Sequence, residues 1–255
     1  MPFGNGVLVV ADSAAPLAKK RSDLPVRTAS AVVMVAIAGG AFWLGGRVLA
    51  GFIVALCLGI LWEWGQLAFA FERRSGARAV WLLVGAGYIG VACLAALQWV
   101  DNVTVLLVVV ASVIAVDVGA YFAGRTFGGP KIAPRISPSK TWSGLGGAII
   151  GASLVYVVLA AVEHGMRFHG ADVGPAVAGG DESMFPWERL AWFGPAVAII
   201  AQSGDFFESW LKRRAGVKDS GRLIPGHGGL FDRADGMIAV LFAIGIFTLV
   251  SAMGQ

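Results

Sequence analysis

Residues 202–236 read QSGDFFESWLKRRAGVKDSGRLIPGHGGLFDRADG. An apolar run enters from the amino-terminal side and finishes in Asp205, Glu208 and Ser209. A basic, glycine-rich loop follows, and Asp232 and Asp235 open the next apolar run. Carboxylates, cations and permissive backbone are thus crowded between two hydrophobic segments. That grouping suits a phosphate-rich, metal-bound substrate held at a membrane surface.

The rest of the chain supplies the membrane. Of its 255 residues 57% are hydrophobic and only 14% charged, where a soluble domain carries about 25% charged residues. Seven apolar segments, near 28–46, 48–70, 79–100, 103–124, 142–163, 187–211 and 235–253, are each close to the length of a membrane-spanning helix. Backbone groups in lipid must be satisfied within the segment, and the alternating pattern of a membrane β-barrel is absent. The expected fold is therefore an all-α, polytopic transmembrane bundle of about seven spans. Residues 28–255 form one domain behind a cytoplasmic tail at 1–27.

Charge gives the orientation. With the amino terminus inside, 17 of the 20 Lys and Arg fall in cytoplasmic segments and three outside. This follows the positive-inside rule, so the carboxyl terminus is expected outside, in a multi-pass inner-membrane protein. The net charge of +4 is too small to mark a nucleic-acid binder, and no nucleic acid is expected. Cys57 and Cys93 lie in apolar runs without metal-site spacing and read as small packing residues. Gly147-x-x-x-Gly151 reads as a small-residue helix contact. His164 and His169, beside Glu163, fall in an outer loop at 164–186 that reads as solvated.

Acids within membrane spans are unfavourable and point to function. Glu63, between Trp62 and Trp64, reads as an interfacial hydrogen-bonding group. Asp205, Glu208 and Ser209, at i, i+3 and i+4, share a helix face, and Asp232 and Asp235 are also i, i+3. Hard carboxylate oxygens suit Mg²⁺. Lys212, Arg213, Lys218 and Arg222 would hold phosphate, and Gly226, Gly228 and Gly229 would let backbone N–H groups approach it. His227 reads as a phosphate hydrogen-bonding group or a loop residue rather than a base, because a phosphate monoester is largely ionised at pH 7. Upstream, Asp117, Tyr121 and Arg125 follow one helical stripe into a loop stiffened by Pro134 and Pro138. There Ser137, Ser139, Lys140 and Thr141 offer hydroxyls and a cation to a nucleotide.

These residues resemble the CDP-diacylglycerol synthase, or phosphatidate cytidylyltransferase, family. Its signature is matched by Ser209, Lys212, Arg213, Lys218, Asp219, Pro225, His227, Gly228, Gly229, Asp232, Arg233 and Asp235 without a gap. Gly204-Asp205, Glu208-Ser209, Asp117-x-x-Ala-Tyr121, Gly124-Arg125 and Ser137-Pro-x-Lys-Thr141 are also similar to the family. The close resemblance covers roughly 115–145 and 200–240.

The resemblance implies cytidylyl transfer from CTP to phosphatidic acid, giving CDP-diacylglycerol and pyrophosphate at the bilayer. It implies Mg²⁺ on Asp205 and Asp232, a second cation such as K⁺ beside it, and Asp235 close by. It further implies catalytic roles for Lys212, Arg213 and His227. Substrate contacts would come from Asp117, Tyr121, Arg125, Ser137, Lys140, Thr141, Glu208, Ser209, Lys218, Asp219, Gly228, Gly229 and Arg233. A homodimer is left open. Two other classes use similar parts: a CTP-dependent lipid kinase or other lipid cytidylyltransferase, and an ion-coupled transporter. A transporter would place its acids near the bilayer midplane, on broken helices.

Overall fold

Seven long helices account for almost all of the regular structure in the computed structural model, which describes residues 24–168 and 187–254. They are α1 (Leu24–Leu44), α2 (Gly46–Phe71), α3 (Ser75–Leu97), α4 (Val103–Phe127), α5 (Trp142–Phe168), α6 (Trp187–Ala215) and α7 (Phe231–Met253). Six of the seven are long and apolar enough to cross a membrane. The exception is α6. It is 29 residues long, but its second half carries Asp205, Glu208 and the basic run from Lys212 to Arg214, which lowers its mean hydropathy.

The helices extend past their apolar cores, and mostly at one end. α3 begins at Ser75, α6 continues to Ala215 and α7 begins at Phe231. Helical geometry does not stop where lipid stops, so Asp232 and Asp235 lie in the first turns of α7 rather than before it. α1 begins at Leu24, four residues inside the segment expected to be tail. His169 and most of the outer loop expected at 164–186 lie outside the described residues. His164 is exposed near the end of α5, and Glu163 beside it is buried.

The loop between α4 and α5 is more ordered than its prolines alone require. It forms an antiparallel hairpin of β1 (Lys131–Ala133) and β2 (Ser137–Thr141), pairing Lys131 with Thr141 and Ala133 with Ser137. Its end is tied down twice. The Trp142 N–H donates to the Pro130 carbonyl, and the Ser143 hydroxyl donates to the Gly128 carbonyl. Thr141 Oγ1 then accepts the Gly144 N–H at 3.1 Å, a side-chain cap at the start of α5.

Small residues set the closest helix contacts. The most extensive interface joins α4 to α5. There a Cβ added at Gly147 would strike the Gly119 carbonyl, and one at Gly151 the Ala115 carbonyl. The Gly-x-x-x-Gly pair therefore does what its spacing predicts. On the other side of the bundle Trp64 of α2 is buried among the rings of Trp81, Tyr88, Phe207 and Phe231, with centroids 5.8 to 6.4 Å away. Its indole N–H donates to the Trp81 carbonyl at 2.8 Å, so the polar edge of this large side chain is satisfied. The Arg214 guanidinium lies over Phe71, Trp81 and Trp210 at 4.9 to 5.5 Å, fixing the end of α6 against α2 and α3.

All seven helices present one end to the same face. α1, α3, α5 and α7 start there, and α2, α4 and α6 finish there. Contacts such as Ser30 with His227, Glu63 with Leu230 and Lys140 with Asp205 join these ends. This alternation is the one the seven apolar segments require.

Candidate active site

The glycine-rich loop between α6 and α7 is organised by one buried carboxylate from far upstream. Glu63 of α2 is completely buried. It accepts hydrogen bonds from the Leu230 N–H at 3.1 Å, the Phe231 N–H at 2.9 Å and the Ser220 hydroxyl at 3.0 Å. It therefore caps the amino terminus of α7 from another helix, where exposed N–H groups and the helix dipole favour an anion. The interfacial reading of Glu63 is corrected here: the residue faces inward, because three donors compensate its burial. Gly221 and Gly229 make the approach possible, since a Cβ at either would collide with the Glu63 carboxylate.

Asp232 braces the same loop. Its Oδ2 accepts the Ser220 and Gly229 N–H groups, both at 2.9 Å, and its Oδ1 accepts from Lys212 Nζ at 2.7 Å. Lys212 also pairs with Glu208 at 2.6 Å, one turn back on α6. The other Glu208 oxygen, Oε1, is buried without a hydrogen-bond donor among the described residues. His227 is held at Nδ1 by the Ser30 hydroxyl at 2.9 Å, and its carbonyl accepts from Arg233 at 2.9 Å. Gly228 takes φ +87°, in the left-handed region that favours glycine, directly beside Asp232.

The hairpin side has a different character. Lys140 on β2 forms an ion pair with Asp205 of α6. Asp205 also faces Asp235 of α7, with Asp117 of α4 close enough to act on both electrostatically. Gly204 allows this approach, because a Cβ there would meet the Asp235 carbonyl. Beside the ion pair opens a pocket of about 390 Å³, lined by Asp117, Tyr121, Arg125, Lys140, Thr141 and Gln202 among others. Arg125 donates to the Tyr121 hydroxyl at 2.8 Å, keeping the exposed end of the stripe together.

A second, larger groove of about 680 Å³ runs between the end of α2 and the loop. Trp62, Leu67 and Ala70 give it an apolar wall, and Lys218, Asp219 and Arg222 a polar one.

The acids Asp117, Asp205, Asp235, Glu208 and Asp232 thus form a chain of neighbours, linked by contact or by field and faced by Lys140 and Lys212. Like charges in contact need a proton or a cation between them. Among the described residues no three His, Cys, Asp or Glu side chains gather tightly enough to form a ready-made metal shell. Asp205 and Asp235 face each other across α6 and α7, and Glu208 and Asp232 lie near each other in the same way. Asp232, expected to share a metal with Asp205, is committed to Lys212 and two N–H groups, with one lone pair on Oδ1 still to offer.

A family model described as the cytidylyltransferase family matches residues 70–251. The chain belongs to the cytidylyltransferase family. It is 33% identical to a phosphatidate cytidylyltransferase of Brucella suis, over 91% of this chain and 95% of that protein. A protein of the same name from Rickettsia felis is also 33% identical, over 90% of this chain and 96% of the relative. One from Rickettsia typhi is 31% identical over 91% and 96%. The chain is thus a nucleotidyltransferase enzyme by family.

In this cytidylyltransferase chain the structure brings together most of the residues singled out in the sequence. Asp117, Tyr121, Arg125, Lys140 and Thr141 meet at one pocket. Thr141 is buried and serves as the helix cap, while Ser137 stands at the far end of β2 and does not line the pocket. Arg213 is exposed on α6, and Ser209 is half-buried beside Glu208. Glu63 was singled out as an acid inside an apolar run, but its partners in the loop were not foreseen. Gln202, one turn before Asp205, was not singled out.

Proposed function

We propose that this enzyme transfers the cytidylyl group of CTP to phosphatidic acid, releasing pyrophosphate and leaving CDP-diacylglycerol in the bilayer. The observation that carries this reading is the Lys140–Asp205 pair. It joins the hairpin pocket to the carboxylate chain at one end of a membrane bundle. The names of the relatives support the same reaction.

In this account the triphosphate lies along Lys140 and Lys212, whose carboxylate partners hold both ammonium groups in place. A phosphate oxygen of the lipid attacks the α-phosphorus. A new P–O bond forms, the bond to the bridging α–β oxygen breaks, and the electron pair leaves with pyrophosphate. No general base is needed, because the attacking phosphate is already ionised. His227, tethered by Ser30, positions the loop. Asp205 and Asp235 would hold Mg²⁺, with Asp232 as an alternative ligand beside them, and the ion would supply charge stabilisation to the phosphates and the leaving group. The groove with Lys218 and Arg222 facing Trp62 and Leu67 suits a phospholipid head with its chains beside it. The site end faces the cytoplasm, as the basic loops require, so CTP enters from solution and lipid from the side.

Purified protein supplied with radiolabelled CTP and phosphatidic acid vesicles should move label into a lipid-extractable product. With diacylglycerol vesicles in parallel, γ-phosphate label that enters lipid only from diacylglycerol would make the enzyme a lipid kinase instead.

A further inference from the structure

Gln202 sits one helical turn before Asp205, on the wall of the 390 Å³ pocket, and is 3% exposed. Among the described residues neither Oε1 nor Nε2 of its carboxamide has a hydrogen-bond partner. A buried amide without partners is unfavourable. It persists in folded proteins where something else completes it. Glu63, buried to the same degree, shows the contrast, since both of its oxygens are filled by the chain itself.

What could complete Gln202 follows from the two orphaned atoms. A phosphate or carboxylate offers acceptors only, satisfying Nε2 and leaving Oε1 bare. An acyl chain offers neither. A pyrimidine base edge presents a donor and an acceptor side by side, which is what a carboxamide reads in a bidentate pair. The pocket is polar at its mouth, where Arg125 and Lys140 stand, and it has room for a base and its sugar.

We infer that Gln202 is the base-reading residue of the nucleotide site, pairing through Oε1 with the 4-amino group of cytosine and through Nε2 with ring N3. This rests on the cytidylyl-transfer reading and adds to it the group that recognises the base. The amide is closed to water in the structure, so its side chain turns toward the pocket when a base arrives. The two new hydrogen bonds drive that turn.

The test crosses a change in the protein with a change in the ligand. CTP is compared with the analogue whose ring lacks the 4-amino group, in the native enzyme and in Gln202→Leu. In the native enzyme removal of the amino group should raise KM about tenfold, the size of one buried hydrogen bond. In Gln202→Leu the two nucleotides should differ less than about twofold. Inhibition by inorganic tripolyphosphate, which has no base, should be the same in both proteins. Gln202→Met, uncharged and of similar length, covers the case in which the leucine variant does not fold. It removes the acceptor for the amino group and the donor to N3 together. It should weaken CTP while leaving tripolyphosphate inhibition unchanged, with a melting temperature near native. An equal preference for CTP over the analogue in native and variant would overturn the assignment. So would a loss of tripolyphosphate binding, which would place Gln202 against phosphate. Native enzyme that turns over neither nucleotide would instead defeat the cytidylyl-transfer reading itself.

Discussion

Two lysine–aspartate pairs stand at the same end of this bundle, and they are built differently. Lys212–Asp232 belongs to a closed assembly. Asp232 has three donors, Lys212 two carboxylates, and Glu63 beneath them three more donors. Lys140–Asp205 borders open space. Asp205 faces a second acid, Asp117 opens into a pocket, and the Gln202 amide has no partner among the described residues. Apart from Glu208 Oε1, the first region completes itself from the chain, whereas the second leaves both atoms of an amide for something from outside. Pre-organised donors and cations lower a barrier because they need no rearrangement at the moment of reaction. A frame on one side and a receptive surface on the other is the division such a site needs.

Substitutions can break that comparison, and the largest effect should come from the open side. Asp205→Asn should lower kcat by about a thousandfold, since metal-held charge stabilisation provides several kcal/mol. Combining it with Asp235→Asn should add little, because residues acting as a unit are not additive. Steady-state rates over a Mg²⁺ series check both statements. Multiplicative losses would separate the two acids.

Next in size is the frame. Glu63→Ala leaves two backbone N–H groups and a hydroxyl without acceptors, which should destabilise the protein by about 3 kcal/mol. Thermal melting in detergent should drop by several degrees. Gly229→Ala should act in the same direction, because its Cβ has no room beside Glu63 and Ser220. Lys140→Ala should then raise KM for CTP about tenfold with little change in melting, since its ammonium group faces the pocket. Unchanged CTP kinetics would return the hairpin to a purely structural part.

The smallest effect is expected at His227. With Nδ1 tied to Ser30, His227→Gln should keep activity within about threefold, because one neutral hydrogen bond contributes only about 1 kcal/mol. Complete loss of turnover with CTP binding intact would give the imidazole a proton-transfer role.

What could be read in advance follows the same division. The spans were legible because lipid imposes a length and a composition, and the alternation of charge then fixed which ends meet. The stripe of Asp117, Tyr121 and Arg125 was legible because helical spacing is local. Glu63 was seen as an anomaly but misplaced: its partners are Ser220, Leu230 and Phe231, more than 150 residues away, and no local rule reaches that far. The Asp205–Asp235 contact needed the crossing of α6 and α7 at Gly204, which spacing within either helix does not give. Thr141 could have been found, since a threonine immediately before a helical run is a cap signal. Its hydroxyl was read instead as a group offered to a nucleotide. Gln202 became visible only through what it lacks.

The division itself is tested most directly by measuring turnover and thermal melting on the same preparations of Asp205→Asn and Glu63→Gln. The account predicts a crossed result. Asp205→Asn should lose at least about a hundredfold in kcat while melting at or above the native temperature, because an acid–acid repulsion is relieved. Glu63→Gln should melt several degrees lower, because its amide places a donor against donors, and should keep a larger share of its rate at temperatures where it is folded. Parallel losses of rate and stability in both variants would contradict the separation of frame from receptive site.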